Sequence, residues 1–433
     1  MNKELYDIAD YAHKRLKEKG ADGAEVWVSR GQMDELNVDA GKFSLMRTTF
    51  STSISIRALS QSRKGSYGTN KIDKETVDKA VDAAIDAAKS SEPDSAEVIS
   101  TGIGEHTFDL AQTEANPDLM YDRMDEFMKQ AKEEYPKTDI MQFIVNHNKW
   151  DSLYANSNDT RALTIGSQYG TSVTFSARDG DKTTSFNGSG YGAKDLDTPI
   201  LAYPDLRRLI AGSAMELDAK PVEGKFTGAL LCPPGSLQGF MWDVFGNCVS
   251  GGAIIAGTSP WKDKIGEIVM DKRINVSFDP LHERIINGGR LQDGYLASKQ
   301  DIIKGGRLTA FSLNEYASLK TGLPRASATG NMVIAPGDSS VDELIAGIEH
   351  GILMNRFSGG SMSPNGDFSG VAKNSFLIEN GKIVGAVAET MISGNMLEML
   401  MNAAGISSET DCGGGSVIPW AAFNGAVISG KEL

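Results

Sequence analysis

The sequence predicts an α+β fold in two domains. Amphipathic helices alternate with strands that show period-two patterning, and glycine is frequent, at 47 of 433 residues. Glycine at this level without a collagen period indicates many turns and hairpins. A segment that begins at Pro221 separates two such regions. We therefore predict an N-terminal α+β domain at 1–220 and a C-terminal domain at 221–433, the latter a mixed β-sheet with helices.

Periodicity predicts each element of the first half in turn. Residues 3–19 place apolar side chains on one helical face, and Gly20 follows as the C-cap. Further helices are predicted at 73–90, from Pro117 to about 134, and at 204–217, with a surface connector at 91–116. A turn at Asp179 and Gly180 leads into a strand at 182–188. The other predicted strands are 24–29, 35–39, 51–59, 140–146, 152–155, 161–167 and 171–178.

The second half begins with an apolar strand at 225–232 and an apolar helix at 235–249. Two hairpins, at 303–308 and 378–383, resemble each other, and Asn380-Gly381 is the strongest turn signal in the chain. Ser340 and Glu343 form a capping box. It opens a helix that we expect to run to about His350, where an imidazole would complement the helix dipole.

Composition excludes several classes of protein. Lys plus Arg is 43 and Asp plus Glu is 57, so the formal charge is −14. Because such a chain repels phosphate backbones, nucleic acid is not expected as a primary partner. No apolar stretch approaches the ~20 residues that cross a bilayer, and the charged N-terminus does not resemble a signal peptide. Three cysteines without pair spacing fit a reducing compartment, so we expect a cytoplasmic protein without a membrane partner.

The residues alone supply no recognisable catalytic constellation. None of the five histidines lies four residues from another, so no helix presents the two-histidine face of an H-E-x-x-H site. The chain has neither a phosphate-binding G-x-x-x-x-G-K-[ST] loop nor a G-x-S-x-G elbow. Cys232 and Cys248 end apolar segments, which predicts buried thiols. Cys412 precedes three glycines and is the cysteine that we expect to be exposed.

Residues 324–396 resemble the TldD/PmbA family of metalloprotease-related proteins, which are also described as modulators of DNA gyrase. The similarity lies in Pro324-Arg325, in MVIAPGDSSVDELIAGIEHGILMNRFSGGSMSPNGDFSGVAKNSFLIENGKI and in residues 392–395. The N-terminal stretches GADGAEVWVSRG and VDAGKFSLMRTTFSTSISIRAL and the ending from Cys412 are similar as well. The resemblance implies a two-lobed α+β fold and dimers that enclose a cleavage chamber.

The two branches of this family differ in whether they have the zinc-binding residues. The TldD branch holds zinc with H-E-x-x-x-H and a downstream cysteine and cleaves unfolded or leader peptides. The PmbA branch, also called TldE, lacks these ligands and pairs with a TldD subunit. The corresponding residues here are Trp242, Asp243 and Asn247, with Cys412 near the position of the cysteine. Because tryptophan offers no lone pair and an amide oxygen binds zinc poorly, the resemblance implies a degenerate site without metal or cofactor in this chain.

Two further expectations concern local geometry. Residues i and i+5 diverge by about 140° on an ideal helix, so the metal motif needs a widened turn, which Gly246 would ease and which we expect to persist here. The loop that contains Phe357, Gly359 and Gly360 is expected to bind an extended peptide by β-augmentation. A tight structural turn would explain the same glycines equally well.

The resulting hypothesis is a PmbA-like subunit of a peptide-processing metalloprotease system. It would act on peptides or unfolded proteins together with a TldD-like subunit or a second copy of itself. Two alternatives stay open. One is an active hydrolase with an unrecognised site, for which Cys412 and Asp243 are the first suspects; the other is a non-catalytic partner-binding protein of the gyrase-modulator type. The sequence leaves open whether this chain is itself an enzyme.

Overall fold

The computed structural model describes residues 2–388 and 390–430, and it confirms the predicted α+β class. In the first half, strands build one sheet and helices lie against it. The elements in chain order are α1 (Lys3–Glu18), β1 (Gly23–Asp39), β2 (Lys42–Ser60), β3 (Arg63–Thr69), α2 (Lys74–Ser90), β4 (Gly104–Asp109), α3 (Pro117–Glu134), β5 (Thr138–Asn156), β6 (Thr160–Asp179), β7 (Lys182–Thr183), β8 (Asn187–Ala193) and α4 (Pro204–Ser213), with 3₁₀ turns at Ile200–Ala202 and Ala214–Asp218.

This first sheet has the order β3-β2-β1-β5-β6-β4, and β7 and β8 pair with β6. Its long central strands alternate buried and exposed residues, so one face is apolar. At one end of this face Val26 and Val28 pack with α1 and α2, and at the other end Leu36 and Val38 pack with the cluster that contains α3 and α4. The helices therefore cover two ends of the same face.

Several predicted strands of the first half are pieces of longer ones. The segments 24–29 and 35–39 join in β1, 140–146 and 152–155 join in β5, and 161–167 and 171–178 join in β6; 51–59 is the end of β2, which starts at Lys42. Alternation is lost where polar residues follow one another, as around Gly31, yet the ladder continues because Gly31 pairs with both Ser51 and Trp150. Unbroken pairing satisfies the main-chain groups that a gap would leave without partners.

Three other predictions for this half need correction. The connector at 91–116 contains β4, which pairs in parallel with β6 and shows no sequence period because none of its side chains is fully buried on either face. The strand predicted at 182–188 is only β7, two residues long, and pairing resumes in β8. The helix predicted at 204–217 is α4 followed by a 3₁₀ turn at Ala214–Asp218. Gly20 follows α1 with φ +91°, as its role at the helix end requires.

The second half forms a larger sheet, a four-stranded sheet and five α-helices within its described residues. The elements are β9 (Lys225–Cys232), α5 (Pro234–Cys248), α6 (Gly251–Ile255), β10 (Val276–Phe278), β11 (Leu291–Gln292), β12 (Tyr295–Leu296), β13 (Gln300–Lys304), β14 (Arg307–Leu308), α7 (Glu315–Thr321), β15 (Met332–Ile334), α8 (Val341–Ala346), β16 (His350–Leu353), β17 (Arg356–Gly359), β18 (Asp367–Lys373), β19 (Ser375–Glu379), β20 (Lys382–Val387), β21 (Thr390–Asn395), α9 (Met396–Met401), β22 (Ala403–Asp411) and β23 (Ile418–Ser429).

The larger sheet has the order β17-β18-β21-β23-β9-β16-β19-β20, with β22 beside β23. Strand β9 lies inside it, and its second half, residues 229–232, is buried on both faces: Leu230 and Cys232 join the core that contains α5, and Ala229 and Leu231 join the core beneath α8. This explains why 229–232 is a continuous apolar run rather than an alternating one. Strand β17 lies at one end of the sheet and β20 at the other.

Both predicted hairpins of the second half are confirmed. Ile303 pairs with Leu308, and Ile378 pairs with Ile383 across Asn380 and Gly381, whose φ angles are +49° and +73°. The capping box at Ser340 is also confirmed. The helix that it opens, however, ends at Ala346, and His350 lies in β16. The expectation of a histidine at a helix end is therefore wrong, because pairing with β9 and β19 makes 350–353 a strand.

The first sheet uses residues up to Ala193 and the larger sheet starts at Lys225. Between them, Lys220 forms two main-chain hydrogen bonds with the end of β20. The domain division at 220/221 stays a prediction. Among the described residues, no helix has the length and apolar character needed to span a bilayer.

Candidate functional site

Helix α5 carries the predicted site residues. Pro234 lies in its first turn, where a main-chain N–H has no hydrogen-bond partner within the helix, so a proline is tolerated there. The buried face of the helix packs into the main core of the second half through Leu237, Phe240, Met241, Val244, Phe245 and Cys248. Trp242, Asp243 and Asn247 therefore project from its remaining sides.

Asp243 and Asn247 both bind the main chain of Met362. The Met362 N–H donates to Asp243 Oδ2 at 3.3 Å, and Asn247 Nδ2 donates to the Met362 carbonyl oxygen at 3.1 Å. The two side chains lie on one face because they are four residues apart. Met362 itself is buried at 3% exposure. We call this arrangement the Met362 clamp: it ties the loop after β17 to α5.

Trp242 points elsewhere. Its side chain is 39% exposed, and its ring stacks 5.7 Å from that of Phe278. The helix is α-helical throughout Pro234–Cys248, so the expectation of a widened turn near Gly246 is wrong. A regular helix keeps the apolar stripe facing the core, and it leaves Trp242 and Asn247 about 140° apart. On this regular helix, the side chains at positions 242 and 247 therefore do not point at one common metal position.

The three cysteines are in different surroundings. Burial raises the pKa of the Cys232 and Cys248 thiols to about 12, as expected for inert structural thiols. Cys412 is partly exposed, and its thiol donates to the carbonyl oxygen of Arg284 at 2.9 Å. It does not line the groove beside Asp243.

Asp243 does share a groove with the predicted peptide-binding residues. A groove of about 360 Å³ lies between α5 and β17, and we call it the α5–β17 groove. Its walls include Asp243, Phe357, Gly359 and Gly360. Its size falls in the range of ligand sites. Sequence reasoning thus named residues from both walls, although they are more than 100 positions apart.

Gly359 and Gly360 in this groove differ in the space around their Cα atoms. A Cβ on Gly359 would lie 2.6 Å from the ring of Phe357 and 2.7 Å from the Ser369 carbonyl oxygen, so packing excludes a side chain there. A Cβ on Gly360 would meet nothing within 4 Å. The ring of Phe357 lies between Phe240 and Phe368, at 5.3 and 5.7 Å. Phe357 and Gly359 therefore build the wall, and Gly360 leaves it open.

Arg356 is a wall residue that sequence reasoning missed. Its Nε donates to Asn374 Oδ1 at 3.1 Å, and its guanidinium lies 4.6 Å from the centroid of the Phe186 ring. Asn374 in turn donates to Glu216 at 2.7 Å. Burial raises the pKa of Glu216 to about 7, against the opposing effects of the Asn374 hydrogen bond and the Arg356 charge. No sequence signal marks this chain of contacts, because residues that touch each other in it are separated by up to 170 positions.

The side chains at the metal-like positions do not fit a zinc ion. Zinc sites need at least three protein ligands. In the part of the chain that the structure describes, no group of three or more His, Cys, Asp or Glu side chains could hold a metal. Asp243 and Asn247 are already engaged by Met362, and an amide Nδ2 that donates is not a metal ligand. That this chain binds no zinc stays a prediction.

Comparisons with known proteins show what the chain is similar to. Residues 224–430 match the PmbA/TldA metallopeptidase C-terminal domain, and residues 24–88 match domain 1 of the same metallopeptidases. The metalloprotease PmbA of Escherichia coli O157:H7 is 23% identical over 90% of this chain and 88% of its own length. A metalloprotease of Methanothermobacter thermautotrophicus is 28% identical, but the match spans only 44% of either chain.

Two solved structures share the fold over nearly the whole chain. TldE from Thermococcus kodakarensis superimposes with a TM-score of 0.83 at 21% identity, covering 99% of this chain and 100% of its own. A protein of Bacteroides thetaiotaomicron described as a candidate modulator of DNA gyrase gives a TM-score of 0.84 at 21% identity, with both chains fully covered.

Proposed function

We propose a non-catalytic role for this chain, which belongs to the TldD/PmbA family of metallopeptidases. It is a PmbA-like subunit that holds peptide for a metal-bearing partner. It does not cut the peptide itself. Family membership supports a protease-related role, and TldE is among its structural neighbours. The partner would be a TldD-like chain or a second copy, and the setting cytoplasmic.

The observation that carries this proposal is the Met362 clamp. A hydrolytic zinc site needs imidazole or carboxylate groups directed at an open position. Asp243 and Asn247 instead direct their polar atoms at one main-chain unit of the same protein. Oδ2 of Asp243 is held by the Met362 N–H, which leaves one carboxylate oxygen, Oδ1, for any role as a general base. These contacts favour a structural role for α5 over a catalytic one.

The α5–β17 groove supports peptide binding. Strand β17 is the last strand of its sheet, so one of its main-chain edges has no partner strand among the described residues, and its residues Arg356, Phe357 and Gly359 line this groove. Such an edge accepts an extended peptide by β-augmentation. The open space at Gly360 lets the peptide main chain approach closely.

The test is a reconstituted cleavage assay with an unfolded protein as substrate. We expect this chain alone to leave the substrate intact, and cleavage to appear when a TldD-like chain with H-E-x-x-x-H is added. Cleavage by this chain alone, retained after Asp243→Asn or Cys412→Ser, would point to a site elsewhere. Cleavage lost in one of these variants would identify that residue as catalytic, and either result overturns the proposal.

The role of the groove is tested by a matched pair of variants. Gly360→Trp fills the open wall, and Gly289→Trp places the same side chain at another exposed glycine whose Cβ would also meet nothing within 4 Å. Peptide binding should weaken about tenfold or more in Gly360→Trp only. Equal binding in both variants would place the peptide elsewhere.

A further inference from the structure

Helix α5 presents two glycines and a carboxylate in a row to the α5–β17 groove. Gly235, Gly239 and Asp243 are spaced four residues apart, so they lie along one face of the helix, and all three line the groove. A Cβ on either glycine would meet nothing within 4 Å. The row is about 12 Å long, which is the length of roughly three to four residues of extended peptide. A peptide that lies along it reaches Asp243.

Asp243 is held in place and keeps one carboxylate oxygen available. Its Oδ2 accepts from the Met362 N–H at 3.3 Å, and within the part of the chain that the structure describes no Lys, Arg or His side chain pairs with it. The buried carboxylates of the first half differ, since Glu25 and Glu97 pair with Arg57 at 2.9 and 2.7 Å. Because both oxygens of a carboxylate accept hydrogen bonds, Oδ1 of Asp243 has room for a further donor.

Arg356 does not supply that donor, although it also lines the groove. Successive side chains of a strand point to opposite faces of the sheet, and the ring of Phe357 packs against Phe240 on the α5 side. The Arg356 side chain therefore points to the other face, where it donates to Asn374 and stacks on Phe186. On the α5 side, the described groove residues present the negative charge of Asp243.

We propose that Asp243 is a specificity-determining residue, whose Oδ1 selects peptides that carry an ammonium or guanidinium group. This inference rests on the proposed peptide-holding role of the groove. Such a cation forms charge-assisted hydrogen bonds with a carboxylate. The aliphatic part of a lysine or arginine side chain would pack on the rings of Phe240 and Phe357, which line the same groove. The formal charge of −14 attracts basic peptides over a longer range.

Three labelled peptides that differ in a single cation test the proposal on the unmodified chain. The first has a central lysine and an acetylated N-terminus, the second has glutamine in place of the lysine, and the third has that glutamine and a free N-terminus. Fluorescence anisotropy should show about tenfold or more tighter binding of the lysine peptide if a side chain is selected, or of the third peptide if the terminal amine is selected. Added salt should reduce this preference. Equal binding of all three would overturn the proposal.

A matched pair of variants assigns the preference to Asp243. Asp243→Asn removes the charge and keeps an oxygen for the Met362 N–H, so it should abolish the preference and leave the Kd of the glutamine peptide unchanged. Asp7→Asn removes the same charge from an exposed position on α1 and should retain the preference. A preference that persists in Asp243→Asn would overturn the proposal. So would an equal loss in both variants, because net charge alone would then explain the binding.

The failure of this inference differs from the failure of the proposed function. If all three peptides bind equally and Gly360→Trp weakens each of them, the groove holds peptide without selecting for charge, and only the role of Asp243 is overturned. If none of the three peptides binds to the chain, both the peptide-holding role and the role of Asp243 are overturned.

Discussion

Exchanging the two polar groups of the Met362 clamp separates a structural role from a vestigial metal site. Asp243 accepts from the Met362 N–H, and an asparagine at that position still offers an oxygen, so Asp243→Asn keeps the bond. Asn247 donates to the Met362 carbonyl oxygen, and an aspartate there offers only acceptors. Asn247→Asp therefore places a carboxylate against a carbonyl oxygen at about 3.1 Å.

The magnitudes follow from these geometries. Asp243→Asn exchanges a charge-assisted hydrogen bond for a neutral one on a partly exposed group, which costs about 0.5–1 kcal/mol. Asn247→Asp loses one hydrogen bond, worth about 1 kcal/mol, and leaves the partly buried carbonyl oxygen without a donor, which adds about 1–2 kcal/mol. We expect Asn247→Asp to be the more damaging substitution by roughly 2 kcal/mol.

The assay is urea unfolding of each variant with and without zinc, together with hydrogen exchange at the Met362 amide. The structural role predicts that Asn247→Asp unfolds at lower urea, exchanges the amide faster, and ignores zinc. A latent metal site predicts the opposite, because a second carboxylate would improve the ligand set and zinc would then stabilise the variant. Zinc-dependent stabilisation, or a larger loss in Asp243→Asn than in Asn247→Asp, would refute the clamp.

Three further predictions concern stability. Burial raises the folded-state pKa of Glu216 from 4.5 to about 7, so its contribution to the free energy of unfolding is complete below pH 4.5 and is lost as pH rises to about 7, by at most about 3 kcal/mol. Glu216→Gln should flatten this pH dependence in urea unfolding across pH 4–8. An unchanged pH dependence would show that another group titrates. A Cβ at Gly65 would lie 1.9 Å from the Ala84 carbonyl oxygen, so Gly65→Ala should destabilise by about 3 kcal/mol. Gly246→Ala, on the open side of a regular helix, should instead stabilise by about 0.5–1 kcal/mol, and a loss there would indicate a strained turn.

Local patterns in the sequence predicted most helices and tight turns. The stripe of α1, the proline that opens α3 and the Asn380-Gly381 turn depend on neighbouring residues, so spacing and residue type were sufficient. The lengths of the strands could not be predicted from local sequence patterns. Strand β2 runs through a polar stretch, and β4 pairs with a strand more than 50 positions away, so only the tertiary ladder defines them.

The candidate site was predicted in part for the same reason. Alignment to the family motif located Asp243 and Asn247, and the glycine-rich loop located the opposite wall of the groove. What holds these residues was not visible, because Met362 and Arg356 act through main-chain atoms and distant side chains. The helical geometry was misjudged at Gly246, since the widened turn belongs to a metal-bound motif whose imidazole ligands this chain does not have.

The most direct test of the account is peptide binding without cleavage by the purified chain. Fluorescence anisotropy of a labelled, disordered peptide should show saturable binding that is unchanged by a chelator and weakened about tenfold or more by Gly360→Trp, but not by Gly289→Trp. Mass spectrometry of the same samples should recover the peptide intact. Binding that needs zinc, or a peptide cut by this chain alone, would contradict the account.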